Sequence, residues 1–117
     1  MVKLHVEIVE TPLSLAQGLM FRKSLEENSG MLFKFSGPME ASFWGRNTYI
    51  PLDVAFIDKN NRIVEIKQIT PLSTRIITSS NLCNMAVEAN AGFFQRNNIK
   101  PGYKVDFQGD EISFFNA

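Results

Sequence analysis

Short stretches of alternating apolar and polar residues recur along the chain, and turn signals separate them at close spacing. Residues 2–9 alternate in this way and predict a half-buried strand. Residues 52–57 and 62–70 flank an Asp-Lys-Asn-Asn turn and predict a hairpin, and residues 104–108 and 111–115 predict another. This spacing favours a β-rich (α+β) fold, a compact barrel-like domain or sandwich of short strands.

Helical signals are few and lie at only three places. Thr11 and Pro12 form an N-cap and first helical residue, which predicts one flanking N-terminal helix reaching about Arg22 or Leu25. Gly18 falls inside this predicted helix, and its small size suggests close packing on a neighbouring backbone. Residues 81–89 fit either a helix or a strand, and residues 93–98 predict a short second helical turn.

Composition excludes several classes of function. The 117 residues form a single predicted domain, residues 1–117, and 44% of them are hydrophobic. Twelve Lys and Arg balance twelve Asp and Glu, so no basic face for nucleic acid is expected. A single cysteine, Cys83, excludes an internal disulfide, and a single histidine, His5, excludes the usual multi-histidine metal site. We therefore expect no metal and no cofactor.

Membrane and export signals are absent from the pattern. No apolar run approaches the roughly 20 residues that span a bilayer. The N-terminal segment alternates apolar and polar residues and has no signal-peptide core. The expectation is a cytoplasmic protein with no membrane partner, and the sequence leaves the oligomeric state open.

Several motifs in fixed order resemble one known family. The most specific is residues 43–53, Phe-Trp-Gly-Arg-Asn-Thr-Tyr-Ile-Pro-Leu-Asp, followed by Phe-Ile-Asp at 56–58. Gly-Leu-Met-Phe-Arg at 18–22 and Gly-Met-Leu-Phe at 30–33 precede it, and Ala-Val-Glu at 86–88 follows it. Together these segments resemble the DUF192 family, small prokaryotic domains whose function is not established.

The resemblance covers nearly the full chain and implies a compact, barrel-like β-rich fold with one flanking helix. It also favours a strand over residues 85–89. Two residues depart from the family pattern: Gly45 stands where the family usually has Met, and Tyr103 where it commonly has Asp. Any surface built by that Met, and any role of that Asp, is therefore not carried over to this chain.

Asp53 is the first candidate site residue. On a strand of period two it shares a face with Ala55 and Ile57, and a buried carboxylate needs a cation or several donors. In a structural interpretation, Asp53 fixes its own loop by accepting hydrogen bonds from Thr48 or from backbone N–H groups. In a functional interpretation, five residues line a small polar pocket: Trp44, Arg46, Asn47, Thr48 and Asp53.

Glu88 is the second candidate, because it too lies among small apolar residues. A salt bridge to Arg22 or Arg46 would satisfy it. Two carboxyl groups, Asp53 and Glu88, also raise the possibility of acid–base chemistry with Arg46 anchoring an anionic substrate. That chemistry needs both groups within about 5–10 Å across one cleft.

Trp44 completes the set, either as a core residue or as a flat platform on which a sugar ring stacks. Three hypotheses follow for the whole chain. The first is a module that binds a small polar ligand, a carbohydrate or another polar metabolite, at the Trp44–Asp53 loop. The second is an enzyme that uses the two carboxyl groups, and the third is a structural or partner-binding domain.

Overall fold

The computed structural model describes residues 1–117, which fold into nine strands and two short helices. Strands dominate because period-two alternation recurs along the chain, and only residues 12–17 and 93–96 form helix. The elements in chain order are β1 (Val2–Val9), α1 (Pro12–Gln17), β2 (Ser29–Met39), β3 (Ser42–Phe43), β4 (Leu52–Ile57), β5 (Ile63–Ile69), β6 (Ile77–Thr78), β7 (Cys83–Asn90), α2 (Phe93–Arg96), β8 (Lys104–Gln108) and β9 (Glu111–Phe115).

Seven strands form one curled sheet in the order β5-β4-β7-β2-β1-β9-β8, and β3 pairs with β6 in a separate short ribbon. Only β1 and β2 run parallel; every other pair in the sheet is antiparallel. The sheet curls so far that its edges meet at one end, where Arg62 bridges to Lys104. The result is a half-barrel, which confirms the predicted β-rich, barrel-like fold.

The sheet separates two apolar cores. The inner core draws side chains from all seven strands, and α2 plugs it with Phe93 and Phe94. These two rings meet each other and Phe114 edge to face, with centroids 5.3–6.2 Å apart. The outer core lies on the opposite face of β2, β4 and β7, beneath the segments that follow α1 and β3.

The first helix is shorter than the sequence predicts. It ends at Gln17, and Gly18 follows with φ 50° and ψ −131°, a conformation that L-residues with side chains rarely adopt. The prediction of a helix to Arg22 or Leu25 with Gly18 in its interior is therefore wrong. The ambiguous segment at 81–89 is strand β7, as the family resemblance favours, and residues 93–96 form the single helical turn expected there.

Candidate functional site

A cavity of about 290 Å³ opens on the outer face of the sheet, between the end of α1 and the segment 42–48. Strands β2 and β7 supply its floor. Its walls are mostly apolar, and Glu88 is the sole ionisable residue among those that line it: Leu15, Ala16, Gln17, Gly18, Leu19, Met20, Phe33, Ser42, Phe43, Trp44, Thr48 and Glu88.

Glu88 reaches this cavity because of its register in the sheet. It lies opposite Met31 of β2 and Val54 of β4, and both of those side chains belong to the outer core. The residue is only 5% exposed, yet its carboxyl group makes no hydrogen bond or ion pair within the protein. No fully enclosed side-chain oxygen in the protein lacks a partner, so the Glu88 oxygens face the open volume of the cavity.

Burial controls the protonation of this carboxyl group. Removal from water disfavours the charged form, and it raises the pKa of Glu88 to about 8. No neighbouring charge opposes this effect, because the other residues around the cavity are neutral. At neutral pH, Glu88 is therefore mainly a carboxylic acid, which both donates and accepts hydrogen bonds.

Gly18 keeps the space above Glu88 open. A Cβ atom built on Gly18 would lie 3.4 Å from the Phe33 ring and 3.9 Å from Oε1 of Glu88. A longer side chain pointing the same way would therefore occupy the cavity. The predicted close packing of Gly18 on a neighbouring backbone is wrong: the atoms nearest to such a Cβ belong to the side chains of Phe33 and Glu88, at ordinary contact distances.

The opposite wall is a loop locked to its neighbour by backbone hydrogen bonds. The Gly45 N–H donates to the Ser73 carbonyl at 2.9 Å, and the Gly45 carbonyl accepts from the Leu72 N–H at 2.8 Å. Trp44 is 37% exposed in this wall, so it is neither a core residue nor fully open to solvent. Thr48 is buried beside it, and its hydroxyl donates to the Arg46 carbonyl at 3.2 Å.

Asp53 lies on the other face of the sheet from Glu88. It pairs with Ala89, one residue further along β7, and side chains alternate between the faces of a strand. Its carboxylate accepts a hydrogen bond from the Gly92 N–H at 2.8 Å, at the start of α2. The predicted bond from Thr48 to Asp53 is therefore wrong, and so is a cleft that holds Asp53 and Glu88 together.

We expect Asp53→Ala to lower the free energy of unfolding by about 1–2 kcal/mol, because the Gly92 N–H loses its acceptor at the start of α2. Asp53→Asn retains an oxygen acceptor and should lose less. Denaturant unfolding measures both variants. An Asp53→Ala protein as stable as the parent would show that this hydrogen bond does not hold α2.

The arginines do not pair with Glu88. Arg22 forms a bidentate ion pair with Glu7, and this pairing lowers the pKa of Glu7 through the hydrogen bond. Arg46 lies over the Trp44 ring, with its guanidinium carbon 5.4 Å from the ring centroid. The predicted salt bridge from Glu88 to either arginine is wrong, and Glu88 is left free for an external partner.

The site residues predicted from the sequence fall into two groups, those that line the cavity and those that do not. Trp44, Thr48 and Glu88 line the cavity, whereas Arg22, Arg46, Asn47 and Asp53 do not. Asn47 adopts a positive φ of 56°, and its carbonyl accepts from the Phe21 N–H at 2.8 Å, so its backbone ties the cavity's two walls together.

Sequence reasoning missed most of the apolar walls. Neither Phe33, which is a buried core residue, nor Gly18, which the pattern places in a helix interior, is expected from the sequence to lie beside Glu88. Both belong to the motifs that carry the family resemblance, residues 18–22 and 30–33. Their presence in motifs of the same family was the available signal that Phe33 and Gly18 lie at the same site.

Two features define the class of protein: a small half-barrel domain, and a partly enclosed cavity on its outer face with one buried carboxyl group. The chain belongs to the DUF192 family, described as an uncharacterized ACR, whose model matches residues 1–107. None of the curated proteins matches the sequence. No helix is both long and apolar enough to cross a membrane.

Two crystal structures are similar to this chain over most of its length. A protein from Sinorhizobium meliloti 1021, described as a "putative transcription regulator", is 34% identical, with a TM-score of 0.82 over 95% of this chain and 81% of that one. A protein of unknown function from Novosphingobium aromaticivorans DSM 12444 is 36% identical, with a TM-score of 0.84 over 87% of this chain and 74% of that one.

Proposed function

We propose that this protein is a binding module for a small polar ligand, a carbohydrate or another polar metabolite, which occupies the Glu88 cavity. The observation that carries the proposal is the Glu88 carboxyl group, 95% buried and without a partner in the protein. A buried polar group without a hydrogen bond costs free energy, about 1–3 kcal/mol. A ligand that supplies the missing bond recovers that cost on binding.

The walls of the cavity favour the same proposal. Its volume of about 290 Å³ is close to the lower end of small-molecule sites, and an apolar lining with few polar groups is typical of them. Trp44 offers a flat ring at the edge of the cavity, where the body of a ligand would stack. Arg46 holds this ring from outside the cavity.

The expected test uses Trp44, the single tryptophan, as a fluorescence reporter. We expect a panel of neutral sugars, polyols, amides and amines to contain ligands that shift its emission and raise the melting temperature. Ala16→Phe should abolish both effects, because Ala16 lines the cavity. Leu13→Phe is the matched control, since Leu13 is 77% exposed on the same helix and does not line the cavity.

Two results would contradict the proposal. One is a complete panel that leaves both the fluorescence and the melting temperature unchanged. The other is a set of ligands that bind the Ala16→Phe variant as tightly as the parent protein, because their site would then lie elsewhere.

Proton-transfer catalysis is the second candidate, and the pKa of about 8 for Glu88 favours it. A group that titrates near neutral pH within a cavity is suited to act as a general acid or base. Glu88 would do so alone, because Asp53 lies on the other face and Arg46 is outside the lining. The cytoplasmic location and the absence of nucleic-acid partners expected from the sequence stay predictions.

A further inference from the structure

We infer that the ligand of the Glu88 cavity carries a protonated amine on an apolar body, and that Glu88 binds it as a carboxylate. This inference rests on the proposed function. It narrows the ligand from polar metabolites in general to organic ammonium ions.

The first support is the charge of the cavity. Among its twelve lining residues there is one acid and no Lys, Arg or His. An anionic ligand would find no cation there and would meet the acid instead. An ammonium group supplies the positive partner that the protein itself does not give to Glu88.

The second support is that the other hydroxyl groups of the lining are already engaged. Ser42 shares a hydrogen bond with Thr78 at 2.9 Å, and the Thr48 hydroxyl donates to a backbone carbonyl. A sugar needs several hydrogen-bonding groups at different angles. An ammonium ion donates three hydrogen bonds and accepts none, so it suits a lining that offers acceptors: the Glu88 carboxylate and the lone pairs that the Ser42 and Thr48 hydroxyl oxygens keep.

The third support is the aromatic wall. Phe33, Phe43 and Trp44 all line the cavity, and the first two rings meet edge to face with centroids 5.0 Å apart. Faces of aromatic rings attract cations, and the attraction grows when water is excluded. Three rings and a buried carboxyl group together suit an organic cation better than a neutral polyol.

Binding of an ammonium ion must remove the proton from Glu88, so affinity should rise with pH. With a pKa of about 8, about 1% of Glu88 is ionised at pH 6 and half at pH 8. The apparent affinity for a cation should therefore increase about 50-fold between these two values.

Other charged groups near the site do not produce this rise. Glu7 and Arg22 are paired beyond the cavity; the pairing lowers the pKa of Glu7 and raises that of Arg22. Arg46 lies over Trp44, and burial raises the pKa of Cys83, on the same strand as Glu88, above its ordinary value of 9.0. His5 lies beside Glu111, at 3.6 Å, and not in the lining.

The probes are phenethylammonium chloride, its neutral counterpart 2-phenylethanol, and the anion 3-phenylpropanoate. Titration calorimetry and Trp44 fluorescence at pH 6, 7 and 8 measure their affinities. We expect phenethylammonium to bind best and to gain about 50-fold from pH 6 to pH 8, because its own amine titrates near pH 10, as lysine does. The Glu88→Gln variant should lose this preference, since its side chain cannot become charged.

The outcomes separate the inference from the proposed function. If 2-phenylethanol binds as well as phenethylammonium, or if cation affinity does not rise with pH, the inference is wrong while the cavity remains a ligand site. If none of the three probes binds and no member of the wider panel binds either, both the inference and the proposed function are wrong. Binding that persists in Ala16→Phe would overturn both.

Discussion

The Glu88→Gln variant should be more stable than the parent protein at pH 8 by about 4 kcal/mol, and nearly equal to it at pH 4.5. The reason is the difference in pKa between the two states of the parent. In the unfolded chain Glu88 ionises near its ordinary value of 4.5, whereas in the folded protein burial raises the pKa to about 8. Glutamine has the same shape and no charge to desolvate.

The direction of the pH dependence follows from proton binding. Below pH 4.5 both states hold the proton, so the ionisation of Glu88 does not change the stability. Between pH 4.5 and about 8 the folded state binds the proton and the unfolded state does not, so stability falls as pH rises. Above about 8 both states are ionised, and the cost stays constant at its maximum.

Urea unfolding of both proteins from pH 4.5 to pH 9 measures this difference directly. Glu7→Gln is the matched control, because its exposed pairing with Arg22 lowers the pKa of Glu7. That pairing stabilises the protein above pH 4.5 and is lost as the pH falls through the lowered pKa, so the control should be slightly less stable than the parent at pH 8. A parent and a Glu88→Gln variant with parallel pH profiles would contradict the account.

Gly45→Ala is expected to lower the free energy of unfolding by about 3 kcal/mol or more. A Cβ atom built on Gly45 would lie 1.8 Å from the Thr70 carbonyl oxygen and 2.9 Å from its carbonyl carbon. The two loops would have to separate. The hydrogen bonds that join Gly45 to Leu72 and Ser73 would then be lost together.

Gly37→Ala is the matched control for this prediction. Gly37 lies in strand β2, and nothing is within 4 Å of a Cβ atom built on it. We expect its midpoint in denaturant to stay near that of the parent. Equal midpoints for the two variants would show that the Gly45 contact does not hold the cavity wall.

The departure at Gly45 acquires a physical meaning from this contact. Members of the family that this chain resembles usually carry Met at that position. On this backbone, the Cβ atom of a Met side chain would overlap the Thr70 carbonyl oxygen. The close approach of the two loops is therefore a feature that this chain's glycine permits.

The fold could be predicted from local pattern, because each hairpin depends on residues near in sequence. The alternation in β4 and β5 and the turn between them identify one such hairpin, and the structure confirms it. Helix α1 was overextended because its stop depends on the conformation of Gly18. Glycine is compatible with a helix interior as well as with the turn found here.

The site was less predictable because it depends on register between distant strands. Asp53 and Glu88 both looked like buried acids, but Asp53 pairs with Ala89 and Glu88 pairs with Val54. This offset of one residue sends the two carboxyl groups to opposite faces. The ion pair of Arg22 with Glu7 could not be predicted either, because tertiary packing brings Glu7 of β1 to Arg22.

Direct titration of the Glu88 carboxyl carbon by NMR, with Glu88→Gln to assign the signal, decides the main question. We expect one glutamate resonance to move with a midpoint of about 8, and to be the resonance missing from the variant. Saturation with phenethylammonium should move that midpoint to lower pH. A midpoint near 4.5 for Glu88 would mean that the group is solvated or paired in solution. That result would contradict the proposed ligand site.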